Sequence, residues 1–291
     1  MEIGMTLPSM VSGLDRDTIL EWCRRIDDGP FSTLAVGERM AYPNVEMFTT
    51  LAAAAAVTER VALMTTIVVL PAHPAVEVAK MAATIDVISA GRLRLGVGIG
   101  GRDEDFRALE RSDAKRHQVL DDQIATMKRV WAGETPMEGI NPVGPAPVQV
   151  GGPPLYSGAL GPKATARAAQ WAEGVAGFLL DPISQDHEST FRTVEAAWET
   201  AGRRERPRHV TSFWYALSDE SPAQLNAYAR RYLGIFGEEF GGAMADACTA
   251  CSAAVVTDAI TRLEEAGCDE LILVPTSADL TELDRLIDLI T

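Results

Sequence analysis

Glu38 and Arg39 stand side by side directly after the apolar run Thr-Leu-Ala-Val-Gly. A carboxylate or guanidinium at a strand end can transfer a proton or orient a substrate. The same two residues equally suit a structural ion pair at the rim of a fold. Two glycine-bearing turns offer a second kind of chemistry. One is Gly96-Val97-Gly98-Ile99-Gly100-Gly101, and the other is Gly158-Ala159-Leu160-Gly161-Pro162-Lys163. A glycine turn entering a helix exposes backbone N–H groups and the positive end of the helix dipole, which suits a phosphate. Lys163 would add charge. Either turn also reads as a tight connection and no more, because a lone glycine pattern is weakly specific.

The remaining reactive side chains narrow the chemistry. His73 precedes Pro74 and reads as a loop anchor, His117 falls on a charged helix, and His187 and His209 have no visible partners. Cys248 and Cys251 form a lone CxxC with no second ligand pair, so they read as two small buried side chains. The absence of HExxH and of an Asp/His cluster argues against a metal site, and there is no GxSxG elbow. Trp214 and Tyr215 offer walls for a pocket, although neighbours on a strand point to opposite faces. The profile is a phosphate-bearing cofactor in a largely apolar site, where the cofactor does the hard chemistry and the protein orients it.

These residues need a scaffold that brings them together. Eight β-type runs alternate with helical segments: Glu2–Leu7, Thr33–Gly37, Val61–Leu70, Leu93–Ile99, Leu155–Ala159, Gly174–Leu180, His209–Leu217 and Glu270–Val274. Asp15 or Asp17 and then Asn44 are the expected caps of the first two helices. A continuous helix is expected over Asp103–Gly133, and helical material over Pro222–Gly267 with a break at Gly241-Gly242. Eight βα units in about this length close a (β/α)8 TIM barrel through right-handed crossovers. An open doubly wound sheet would want a glycine fingerprint after the first strand, where Leu7-Pro8-Ser9 stands instead. Residues 1–291 are expected to form one domain, with 134–153 an irregular, proline-rich insertion between strands four and five that covers the pocket.

The formal net charge of −15 disfavours nucleic acid and anionic membrane as partners, since both would be repelled. MEIGMTLPSM lacks a signal-peptide pattern, and the apolar run Leu51–Val57 is too short to span a bilayer. A cytoplasmic enzyme acting on a small molecule is the expectation.

Thr50–Arg102, with its HP, AK, TIDVIS, AGRL and GVGIGG elements, resembles the luciferase-like monooxygenase family, as do Gly158–Val175 and Gly267–Pro275. The resemblance implies a barrel that binds FMN or the deazaflavin coenzyme (F-420 type) at its C-terminal pole. It implies a non-prolyl cis bond at Thr66–Ile67 under the flavin ring, and the cofactor phosphate near Gly98, Gly100 and Gly101 and near Gly158, Ala159, Leu160, Gly161, Pro162 and Lys163. It further implies a homodimer and a flavin reductase that supplies reduced cofactor. Two activities stand open: oxygenation by reduced FMN and O2, and hydride transfer with a deazaflavin. A non-catalytic flavin-binding subunit is a third reading. Several members carry a histidine just after strand two, where this chain has Arg39. That departure suggests that Arg39 orients an anionic group of the substrate or coenzyme.

Overall fold

The computed structural model describes residues 1–159 and 161–291. Eight parallel strands close a barrel in sequence order: β1 (Glu2–Thr6), β2 (Thr33–Val36), β3 (Ala62–Val69), β4 (Leu93–Gly98), β5 (Leu155–Ser157), β6 (Gly174–Ala176), β7 (Arg208–Tyr215) and β8 (Glu270–Pro275). Met5 pairs with Leu34 on one side and Leu273 on the other, so β1 joins β2 to β8. The sixth strand is shorter than its apolar run suggests. After Ala176 the chain leaves the ladder and returns only in a single bridge from Leu179 to Phe213.

The helices are α1 (Arg16–Asp28), α2 (Met47–Val57), α3 (Ala75–Ile88), α4 (Asp103–Ala108), α5 (Arg116–Trp131), α6 (Pro162–Ala168), α7 (His187–Thr200), α8 (Ser221–Leu233), α9 (Glu238–Asp246), α10 (Ala253–Glu265) and α11 (Leu280–Ile290). Asp15 caps α1 through Thr18 N–H. Asn44 does not cap α2. The helix starts later, and the Glu46 carboxylate accepts from the N–H groups of Phe48 and Thr49. The segment expected as one helix over Asp103–Gly133 is two, α4 and α5, because Glu110 and Lys115 adopt φ values of +55° and +56° between them. Gly241 and Gly242 do not break a helix. They lie inside α9, and a Cβ at Gly241 would overlap the Leu233 carbonyl, so glycine there lets α9 pack closely on α8.

Ala35, Met64, Tyr156, Val210 and Ile272 fill the middle of the barrel. Below them Glu270, fully buried, accepts from Ser32, Thr33 and Arg94. Burial alone would raise its pKa, but Arg94, the two hydroxyls and Arg208 outweigh that and hold it below the usual carboxylate range. This buried ion cluster closes the N-terminal pole and leaves the open end of the barrel at the C-terminal pole.

Residues 134–153 stay largely irregular, but they do not cover that open end. They follow α5, and an α-to-β connection returns to the opposite pole from the β-to-α loops. Gln149 is fastened to Asp86 and to the Leu93 carbonyl at the start of β4. Among the described residues, no helix is long and apolar enough to cross a membrane.

Candidate active site

At the C-terminal pole lies a cavity of about 480 Å³, lined from the ends of β2, β3, β4 and β5 and from α4, α5, α6 and α8. Its floor is the end of β3. The β3–β4 register shifts between Thr65 and Val68, and the Thr66–Ile67 peptide bond is cis, as the resemblance implied. Both residues line the cavity.

The glycines of strand four serve this floor. A Cβ at Gly98 would overlap Ile67 Cδ1, and one at Gly158 would come within 2.7 Å of the same atom. Gly96 is equally constrained, by the Thr65 carbonyl. Gly100 has φ +69° and no room beside Val69. Four of the glycines therefore seat the β3 end against β4 and β5. Gly101 differs: nothing lies within 4 Å of where its Cβ would be, and it lines the cavity. Ala159 also lines the cavity. Gly161, Pro162 and Lys163 are exposed and lie outside the lining, so the structure does not bring Lys163 to the cavity. Leu160 lies outside the described residues.

Glu38 and Arg39 both line the cavity, and they are not paired with each other. Glu38 Oε2 accepts from the Val69 N–H (2.5 Å), and Oε1 is 2.7 Å from His73 Nε2. Burial would lower the His73 pKa, but the hydrogen bond and charge of Glu38 reverse this and raise it. His73 thus anchors the loop after β3 through a buried carboxylate, while Gln123 holds its carbonyl. Arg39 donates from Nε to Asp105 Oδ2 (2.9 Å) and from Nη2 to Glu104. Asp105 Oδ1 also takes the N–H groups of Met40 and Ala41. The third nitrogen, Arg39 Nη1, is buried without a partner.

An aromatic wall stands over this side of the cavity. The Arg39 guanidinium lies 5.0 Å from the Tyr42 ring and 5.4 Å from Tyr232, and that of Arg102 lies 4.6 Å from Tyr232 and 5.3 Å from Phe236. Trp214 meets Tyr232 edge-on at 5.1 Å and Phe178 at 4.7 Å. Tyr215 points the other way, into the packing between barrel and helices, where burial drives its pKa up. Arg102, Arg167, Ser157 and Tyr232 are among the lining residues that the sequence reading did not assign. Arg102 borders the GVGIGG turn and was within reach of that reading. Tyr232, on α8, is far along the chain from every strand end it faces, and no spacing signals it. Cys248 and Cys251 are half-buried free thiols, and burial pushes Cys248 up to about 11. No cluster of three potential metal ligands occurs among the described residues.

Comparison with known proteins agrees with this architecture. The luciferase-like monooxygenase family description matches residues 1–274. An uncharacterized protein of Mycobacterium tuberculosis is 28% identical over 174 residues, which is 57% of this chain and 60% of that protein. The alignment thus spans about 60% of the length of such curated relatives. The oxygenase component of a flavin-dependent trigonelline monooxygenase from Acinetobacter baylyi is 28% identical over 243 residues, covering 77% of this chain and 65% of that protein. Among solved structures, monooxygenase RslO1 of Streptomyces bottropensis superposes with a TM-score of 0.77 at 22% identity, covering 99% of this chain and 97% of that one. An F-420-dependent secondary alcohol dehydrogenase superposes with a TM-score of 0.79 at 17% identity, covering 99% and 98%. With the family match running through all eight barrel strands, this chain belongs to the luciferase-like monooxygenase family.

Proposed function

We propose that the chain is a flavin-dependent oxidoreductase that uses reduced FMN and O2 to oxygenate a small organic substrate. The observation that carries this reading is the cavity floor. Thr66 and Ile67 form an apolar shelf, held in place by glycines at 96, 98 and 158, inside a pocket open at the C-terminal pole. A flat ring system fits on such a shelf, and the open approach at Gly101 leaves backbone room for a phosphate. Bound there, reduced FMN would supply the two electrons that activate O2, with one oxygen atom going to the substrate and the other to water.

The chain's own residues do the rest. Tyr232 lines the cavity, backed edge-on by Trp214, and shields the reacting centre from water. Glu38 lines the cavity and keeps a proton on His73 Nε2 within one hydrogen bond of it. Arg39 follows β2, lines the cavity and keeps one buried donor unpaired. The acinetobacterial relative is named as an oxygenase component, which supports a separate reductase as the source of reduced flavin. A single domain acting as a homodimer in the cytoplasm completes the proposal.

Hydride transfer with the deazaflavin coenzyme is the second reading. It is favoured by the arginine content of the cavity, which suits a coenzyme with an anionic tail: four arginines face three carboxylates in a chain of net charge −15. Equilibrium titration of the purified protein with FMN and with the deazaflavin coenzyme, followed by fluorescence and absorbance, tests both. Tight FMN binding with O2-dependent turnover is expected. Binding of the deazaflavin alone would replace the first reading with the second, and binding of neither would overturn both.

A further inference from the structure

Arg39 carries a donor that nothing in the protein uses. Its side chain lines the cavity and is 2% exposed, two of its three nitrogens are bonded to Asp105 and Glu104, and Nη1 is buried and has no acceptor. A buried cationic donor left unpaired costs free energy, so such a group signals an acceptor that arrives with a ligand. Arg102 repeats the pattern beside it. Its Nε is buried without a partner, and it forms no salt bridge among the described residues. Both guanidiniums lie against Tyr232, 5.4 Å and 4.6 Å from the centre of its ring. Two cations with unused donors beside one aromatic ring describe a place for a negative oxygen group attached to an apolar body.

We propose that the substrate is an organic acid whose carboxylate docks on Arg39 Nη1 and Arg102 while its apolar body packs against Tyr232, Trp214 and Phe236. The position of Arg39 separates this group from a cofactor phosphate. Arg39 follows β2, whereas the open glycine approach at Gly101 follows β4, two strands further round the barrel. Arg39, Arg116 and Arg167 of the cavity lining each have a carboxylate partner, whereas Arg102 forms no salt bridge among the described residues and is a free cation for an anion. For turnover the proposal rests on the flavin reading; for binding it stands alone.

The test uses the intact protein with benzoate as the acid and benzamide as its neutral counterpart. Each is titrated by calorimetry into apo protein and by absorbance into FMN-loaded protein. Benzoate is expected to bind at least about tenfold tighter than benzamide, the discrimination of a charge-assisted hydrogen bond. R39K and R102Q are each expected to weaken benzoate about tenfold while changing FMN affinity less than about twofold. R39K keeps a cation for Glu104 and Asp105; should it not fold, R102Q, which breaks no ion pair, decides alone. Equal binding of the two probes, or no binding of benzoate, would overturn the proposal. So would variants that lose FMN but keep riboflavin, because the anion would then be the cofactor's phosphate. Arginine-dependent benzoate binding in a protein that takes no FMN would leave this proposal standing and remove the flavin reading.

Discussion

Glu38→Gln separates a structural carboxylate from a proton-linked one. In the native protein Glu38 Oε1 lies 2.7 Å from His73 Nε2, the Glu38 side chain is 3% exposed, and that of His73 is 13% exposed. Glutamine keeps the carbonyl that accepts from Val69 N–H, and its amide can donate to neutral histidine. It cannot stabilise the imidazolium. The loss therefore falls on the charged form of His73 alone. A hydrogen bond between charged groups in such a site is worth about 1.5–3 kcal/mol. With an unfolding entropy of about 2.1 cal/mol/K per residue, this is a drop in Tm of roughly 2–5 °C for a chain of this length. The sign with pH follows from the raised His73 pKa. A group whose pKa rises on folding adds stability that is fully present below its unfolded value, about 6.5, and is lost as pH climbs through the folded value. Scanning calorimetry at pH 5.5 and pH 9 should show most of the Tm loss at the lower pH and little at the higher. The same loss at both values, or none at pH 5.5, would refute the linkage and reduce Glu38 to a packing residue.

Gly96→Ala places a Cβ against the Thr65 carbonyl, which is backbone and cannot step aside, so urea unfolding should report a loss of about 3 kcal/mol or more; a midpoint like the native one would contradict the close approach of β3 and β4. Gly98→Ala meets only the flexible end of Ile67, so it should cost about 1–2 kcal/mol while pushing Ile67 into the cavity and weakening FMN binding about tenfold or more; unchanged FMN affinity would remove Ile67 from the ring site. Lys163→Ala should leave FMN affinity within about twofold of native, because Lys163 is exposed and off the cavity lining; a large loss in fluorescence titration would restore it as a phosphate ligand. At pH 8 iodoacetamide should leave Cys23, Cys248 and Cys268 of the folded protein almost unmodified in peptide mass spectra, since burial pushes their thiols up to about 12, 11 and 12; rapid labelling of Cys248 would show that its pocket opens.

Alternation of β-branched runs with helical stretches, read from the sequence, determined the eight-stranded barrel, because each βα unit carries its own hydrophobic period and needs no distant partner to be recognised. The same local logic placed Glu38, Arg39, Gly98, Gly100, Gly101, Gly158 and Ala159 on the cavity, since in a barrel the strand ends converge on one pole, while Thr66 and Ile67 came from the family resemblance. Tertiary structure decided what each of them does there. Gly98 and Gly158 turned out to make room for Ile67, an approach between strands that spacing along one strand cannot show. Glu38 and Arg39, adjacent in sequence, divided between His73 and Asp105, because their partners arrive from the loop after β3 and from α4. The 134–153 segment lay at the far pole, set by the direction of the chain rather than by its composition. Tyr232 and the unpaired Arg39 Nη1 came last to light, since a donor without an acceptor is a property of three-dimensional surroundings and leaves no mark in the order of residues.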